Sequence, residues 1–226
     1  MESGRALAIK ALIFDLDGTL VDSMNDFSKV ATEVIFRHFG VNRTQAALMY
    51  RNTSGLPFRY QLQKLFHDDP RIQQATEEYE RLKLIEYVHR PFYQDVLATL
   101  PQLKARGYKL CVSSNNQIEN VESKMRPVRQ HFDLILGFKE GFFKGKHHFD
   151  IVKNEFGVAE HEVVFIGDSL HDARMALENR IPFIARVGTF SNRDFDALGL
   201  PEDLRIETFH SLIPILDQLG TGKGTN

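Results

Sequence analysis

The chain has 226 residues, 42% hydrophobic and 26% charged, with a formal net charge of −2, which suits one large domain or a domain carrying a smaller insert. The balanced charge argues against a nucleic-acid polymer or a membrane surface as partner. Cys111 is the only cysteine, so no intramolecular disulfide can form, and its apolar neighbours predict a buried, unreactive thiol.

Residues Ala8–Phe14 form a short apolar run that ends at a polar turn containing Gly18, the pattern of a buried strand opening into a loop. A helical rhythm follows: Phe27, Val30, Ala31, Val34, Ile35 and His38 share one face, with Gly40 as the stop. Further helices are predicted over 44–53, 57–67 and 70–89, and no strand is predicted in this stretch. From Arg90-Pro91 the pattern changes. A helix over 93–106 precedes a strand over 109–113, and more strands are predicted at 134–136, 163–166 and 183–187. Helical patterns at 118–125, 148–156 and 172–179 separate them. Strands alternating with helices predict βαβ units and a parallel sheet covered on both faces. The expected organisation is an α/β core, residues 1–22 and 91–226, interrupted by an all-helical insert at 23–90. The Gly- and Lys-rich tail 220–226 is expected to lack fixed structure. No run is apolar for long enough to span a bilayer, and Met1-Glu2-Ser3-Gly4-Arg5 lacks a secretion-signal core, so a cytoplasmic location is expected.

Parallel α/β sheets bind ligands at the carboxyl ends of their strands, and polar residues cluster at those ends here. Asp15 and Asp17 follow the first predicted strand, and Ser113, Ser114, Asn115 and Asn116 the second. Lys144 and Lys146 come shortly after the third, and Gly167, Asp168, Ser169 and Asp172 after the fourth. Four carboxylates meeting at one sheet edge would repel strongly without a divalent cation. A cation flanked by lysine and hydroxyl groups suits a phosphate dianion.

Phe14-Asp15-Leu16-Asp17-Gly18-Thr19 resembles the first signature motif of the haloacid dehalogenase-like hydrolase superfamily. Ser114, ending Leu110-Cys111-Val112-Ser113-Ser114, resembles the second. A lysine in Phe143-Lys144-Gly145-Lys146 resembles the third, and Val163-Val164-Phe165-Ile166-Gly167-Asp168-Ser169-Leu170-His171-Asp172 the fourth. The motifs occur in the family's order along essentially the whole chain. The resemblance implies a Rossmann-like parallel-sheet core and a Mg²⁺-dependent phosphatase of small phosphorylated metabolites. It assigns Asp15 as the nucleophile that becomes an aspartyl-phosphate and Asp17 as the acid–base partner. It assigns Ser114, Asn115 and Lys144, with Lys146 as the alternative lysine, to the phosphate. Mg²⁺ falls to Asp15, the main-chain carbonyl of Asp17, Asp168 and Asp172. The dehalogenase branch lacks the second aspartate, so Asp17 favours phosphate-ester chemistry.

The insert resembles the helical cap of the phosphoglycolate-phosphatase-like branch. That likeness implies a substrate-selecting element in which Arg59 contacts the leaving group; a solvated first-turn arginine is the competing reading. A β-phosphoglucomutase-like transferase is the alternative activity, and a non-catalytic binding module ranks below both. A monomer or homodimer is expected. Two departures stand out. The usual Lys-Pro of the third motif is Lys144-Gly145 here, and a glycine common in relatives is replaced by Arg180, expected to be a surface difference. Asp172 also suits the first turn of a helix, and His147 and His148 are expected to face solvent.

Overall fold

A computed structural model describes residues 8–87 and 89–221. The chain divides into two compact units. One comprises the chain through Leu20 and from Phe92 onward, the other Val21–Pro91.

In the first unit, among the described residues, six strands form one parallel sheet: β1 (Ala11–Phe14), β2 (Lys109–Gln117), β3 (Leu134–Phe138), β4 (Val163–Gly167), β5 (Phe183–Arg186) and β6 (Arg205–Ile206). Their order is β3-β2-β1-β4-β5-β6. The helices of this unit are α5 (Gln94–Ala105), α6 (Ile118–Met125), α7 (Lys146–Phe156), α8 (Leu170–Glu178), α9 (Asn192–Asp196) and α10 (Leu212–Thr221). In the other unit α1 (Met24–Phe39), α2 (Arg43–Thr53), α3 (Phe58–Phe66) and α4 (Ile72–Tyr87) pack together with no strand among the described residues.

Every residue of β1 and β4 is buried, as a central parallel strand covered on both faces requires. Ala11, Ile13, Cys111, Phe165 and Phe183 share one apolar cluster with Phe149 and Val152 of α7 and Ala173 and Ala176 of α8. Phe14 points the other way, edge-on to Phe132 at 6.2 Å and stacked on Phe209 at 5.9 Å. Each such large apolar side chain contributes about 1.5–3 kcal/mol on burial, which fixes β1 and β4 as a stiff platform. In the helical unit Phe58 stacks on Tyr79 at 3.8 Å, and Phe27 meets Tyr87 at 5.7 Å.

Three sequence expectations need correction. The second strand runs through Gln117 instead of stopping at Ser113, because main-chain pairing with β3 resumes at Gln117↔Phe138 after a register shift. Hydrogen bonds of Ser113, Ser114 and Asn116 let this polar stretch lie buried in the sheet. Helix α7 begins at Lys146, two residues earlier than its apolar rhythm shows. The last three elements, α9, β6 and α10, were not anticipated. Gly220 and Thr221 of the tail belong to α10, and residues 222–226 lie outside the described ones.

Helix α8 ends in a Schellman arrangement: Ile181 N–H donates to Ala176 O at 2.9 Å and Arg180 N–H to Leu177 O at 3.1 Å. Arg180 occupies the left-handed position that this motif reserves for glycine, with a φ of 58°. Its side chain is exposed. Among the described residues, no helix is long and apolar enough to cross a membrane.

Candidate active site

The connections leaving β1 run to β2 and β3 on one side, and those after β4 run to β5 and β6 on the other. This is a topological switch point, where the carboxyl ends of neighbouring strands leave a crevice. Asp15 follows β1 and Asp168 follows β4, and Asp15 N–H donates to Ile166 O at 2.9 Å, locking the two strand ends together. Asp172 enters from the first turn of α8. Its N–H donates to Ser169 Oγ at 3.0 Å, while its Oδ2 accepts from Ser169 Oγ at 2.6 Å and Ser169 N at 3.2 Å. This capping box turns the carboxylate back over the strand end, so capping the helix is compatible with a place for Asp172 in the crevice. Gly167 makes room for it: a Cβ there would lie 2.8 Å from Asp172 Cβ. Carboxylate oxygens of Asp15, Asp168 and Asp172 lie within 4.8 Å of one another, all three residues being buried.

Lys144, in the loop between β3 and α7, places Nζ 2.9 Å from Asp15 Oδ1 and 2.8 Å from Asp172 Oδ1. Lys146 begins α7 on the surface and pairs with Asp150 one turn on. The two lysines that the sequence left open are therefore placed differently, and only Lys144 enters the crevice. Burial opposes the charge of Lys144, yet the carboxylates of Asp15 and Asp172 outweigh it and hold the ammonium protonated. Burial pushes the Asp15 carboxyl up to about 7 despite Lys144, with Asp172 adding to the rise. Burial, then the charges of Asp15 and Asp172, raise Asp168 well above the ordinary carboxylate range.

Three buried carboxylates facing one ammonium leave uncompensated negative charge, and all the donors are hard oxygens at short mutual distances. That donor set fits a small divalent cation such as Mg²⁺.

The carboxylate of Asp17 stands outside this group of three, half-buried, with Oδ2 accepting from Asn116 Nδ2 at 2.6 Å. Ser114 is buried and its Oγ accepts from Asn116 N–H at 3.1 Å. Asn115 Oδ1 accepts the Lys144 N–H at 3.1 Å. His148 corrects the expectation of solvent-facing histidines. It is fully enclosed, its Nδ1 lies 2.8 Å from Ser113 Oγ, and burial together with Lys144 lowers its imidazole to about 3, so it is neutral. His147 is half-buried against the Phe142 and Phe143 rings. Arg59 lies exposed in the first turn of α3 in the helical unit.

Sequence reasoning missed two contacts. Thr189 Oγ1 donates to Asp168 Oδ2 from the loop after β5. Arg186 is buried over the Tyr93 ring and donates to Thr19 O at 3.1 Å, pairing with Asp95 at 3.2 Å. Neither belongs to a recognisable motif. The one available signal was an arginine closing the otherwise apolar fifth strand.

Residues 12–186 match the family model for haloacid dehalogenase-like hydrolases. The phosphoglycolate phosphatase of Aquifex aeolicus is 31% identical over 57% of this chain and 61% of its own length. The pyrophosphatase PpaX of Bacillus cereus is 23% identical over 94% of this chain and 99% of its own. A solved structure from Lactobacillus delbrueckii subsp. bulgaricus superposes with a TM-score of 0.79 at 20% identity, covering 92% of this chain and 98% of that one. Its likeness is one of fold: a Rossmann-like parallel sheet. With the family model covering most of the chain and the acidic crevice at the strand ends, the protein belongs to the haloacid dehalogenase-like hydrolase family.

Proposed function

We propose that the protein is a Mg²⁺-dependent phosphatase that hydrolyses a small phosphomonoester through an aspartyl-phosphate on Asp15. The observation that carries this reading is the buried group of Asp15, Asp168, Asp172 and Lys144, with the ammonium 2.9 Å from Asp15 Oδ1. A carboxylate oxygen of Asp15 attacks phosphorus, the phosphorus–oxygen bond to the leaving group breaks, and the leaving oxygen takes a proton from Asp17. Water then attacks the phosphorus of the acyl phosphate, gives its proton to Asp17 and frees Asp15 and inorganic phosphate. Lys144 and Ser114 hold the phosphoryl oxygens as their charge redistributes.

Asp15, Asp168, Asp172 and the main-chain carbonyl of Asp17 would hold Mg²⁺, which when bound neutralises the carboxylates and the phosphoryl group. Asn116 holds Asp17 at 2.6 Å, apart from the three clustered carboxylates. This separation supports an acid–base role and speaks for phosphate esters over halides. Phosphoglycolate and pyrophosphate, named for two relatives, both join phosphate to a small anionic leaving group, and we assign this chain a substrate of that class. Leaving-group selection we assign to the helical unit, with Arg59 as its cationic contact.

The test is release of inorganic phosphate from p-nitrophenyl phosphate, phosphoglycolate, pyrophosphate and glucose 1-phosphate, with and without Mg²⁺. Asp15→Asn should abolish release from every substrate. Full activity in that variant, or after exhaustive chelation, would remove the basis of the assignment.

A further inference from the structure

The loop that delivers Lys144 departs from the family's Lys-Pro pattern, and its geometry shows how this chain copes. Gly145 caps α7 with a φ of 112°, far from the −65° or so that a proline ring imposes. A Cβ there would also meet Met175 Sδ at 3.0 Å. The stiffness that proline gives the backbone beside the lysine is therefore missing, and the loop must be held from outside.

Two contacts hold it, both from the carboxyl end of β2. Asn115 Oδ1 accepts the main-chain N–H of Lys144 at 3.1 Å. Ser113 Oγ lies 2.8 Å from Nδ1 of His148, the third residue of α7, and both side chains are fully buried. Cys111, two residues before Ser113, packs in one cluster with Phe149 and Val152 of α7. Side chains two apart on a regular strand share a face, so Ser113 lies on the α7-facing side of β2, and past the register shift the Asn115 side chain reaches the same loop through its bond to Lys144 N–H. The end of the strand is thus bolted to the start of the helix on either side of Gly145.

We propose that Asn115 is a positioning residue for Lys144, acting with the Ser113–His148 pair to fix the ammonium against Asp15. This rests on Lys144 serving the phosphoryl group as described above, and it gives Asn115 a different part from the direct phosphate contact expected of it. A misplacement of the ammonium by a fraction of an ångström weakens its hold on the transferring phosphoryl group.

A double-mutant cycle on the Mg²⁺-loaded enzyme with p-nitrophenyl phosphate tests it. Asn115→Ala should lower kcat on the order of 10-fold with little change in KM. In a Lys144→Ala background the same change should cost less than about twofold, because the group being positioned is already gone. Equal losses in the two backgrounds would show that Asn115 acts on the substrate itself and overturn the proposal, as would the absence of any loss. Ser113→Ala run through the same cycle should give the same non-additive pattern, and it decides the matter if Asn115→Ala does not fold by circular dichroism. A Lys144→Ala enzyme with unimpaired activity would sink the role given to the lysine, and the positioning proposal with it; additive losses would sink the positioning proposal alone.

Discussion

Lys144 Nζ and Asp15 Oδ1 lie 2.9 Å apart with both side chains buried, and the same ammonium reaches Asp172 Oδ1 at 2.8 Å. One cation thus serves the end of β1 and the first turn of α8. Lys144→Met keeps the apolar stem and removes the charge, and should lower kcat/KM on the order of 10²-fold. Lys146→Met should change it by less than about twofold, since an exposed i,i+4 ion pair contributes little. Steady-state kinetics on the two variants checks this, and equal losses would contradict the placement of the lysines.

The raised carboxyls set a pH dependence for cation binding. Asp15 in the folded protein titrates near 7 and in an unfolded chain near 3.8, so the protonated form is favoured by folding. The resulting stability is fully present below the unfolded value and is lost as pH rises through about 7. A cation needs the ionised carboxylates, so protons compete with it below that pH. Millimolar Mg²⁺ should therefore raise the melting temperature more at pH 8 than at pH 5.5. Thermal melts at the two pH values measure the difference; an equal rise at both would contradict the cation site.

Gly167 gives a steric test of the same crevice. A methyl group there would sit 2.8 Å from Asp172 Cβ and 2.9 Å from its Oδ2; the helix backbone fixes the first and the hydrogen bonds from Ser169 hold the second. Gly167→Ala should displace Asp172, lowering kcat about 10- to 100-fold and stability by about 1–3 kcal/mol. Kinetics and urea unfolding read the two effects separately.

Arg180 is a stability defect away from the crevice. It holds a φ of 58° at the position after the cap of α8, where a residue with a Cβ is strained by about 1–2 kcal/mol. Arg180→Gly relieves that strain but frees the unfolded chain. The net gain should be about 0.5–1 kcal/mol, a rise of roughly 1–4 °C in melting temperature, with kcat unchanged. Calorimetry measures the shift.

Much of the architecture was legible in the sequence because central parallel strands and amphipathic helices carry strong apolar patterns. Ala11–Phe14 and Val163–Gly167 stand out as unbroken buried runs, and the turns after them carry the acidic residues. Features resting on main-chain pairing or tertiary contact were hidden. The far end of β2 is polar in sequence and still pairs with β3. Strand β6 contributes only two residues at the sheet edge, too few for any periodicity. His148 is polar and adjacent to another histidine, yet Ser113 and the neutral state of its ring allow full burial. Spacing favoured Lys144 but left Lys146 open, because their difference arises where the loop ends and α7 begins.

The enclosure of Cys111 has a practical consequence. Its side chain is fully covered in the sheet, and burial pushes its thiol well above the ordinary range, so the native fold offers alkylating or disulfide-forming reagents no reactive target. Leu48 in α2 and Leu177 in α8 are 55% and 76% exposed. A cysteine introduced at either place would be the sole attachment point for a dye or spin label. Each unit of the protein can thus carry its own reporter, with the native cysteine left in place and silent.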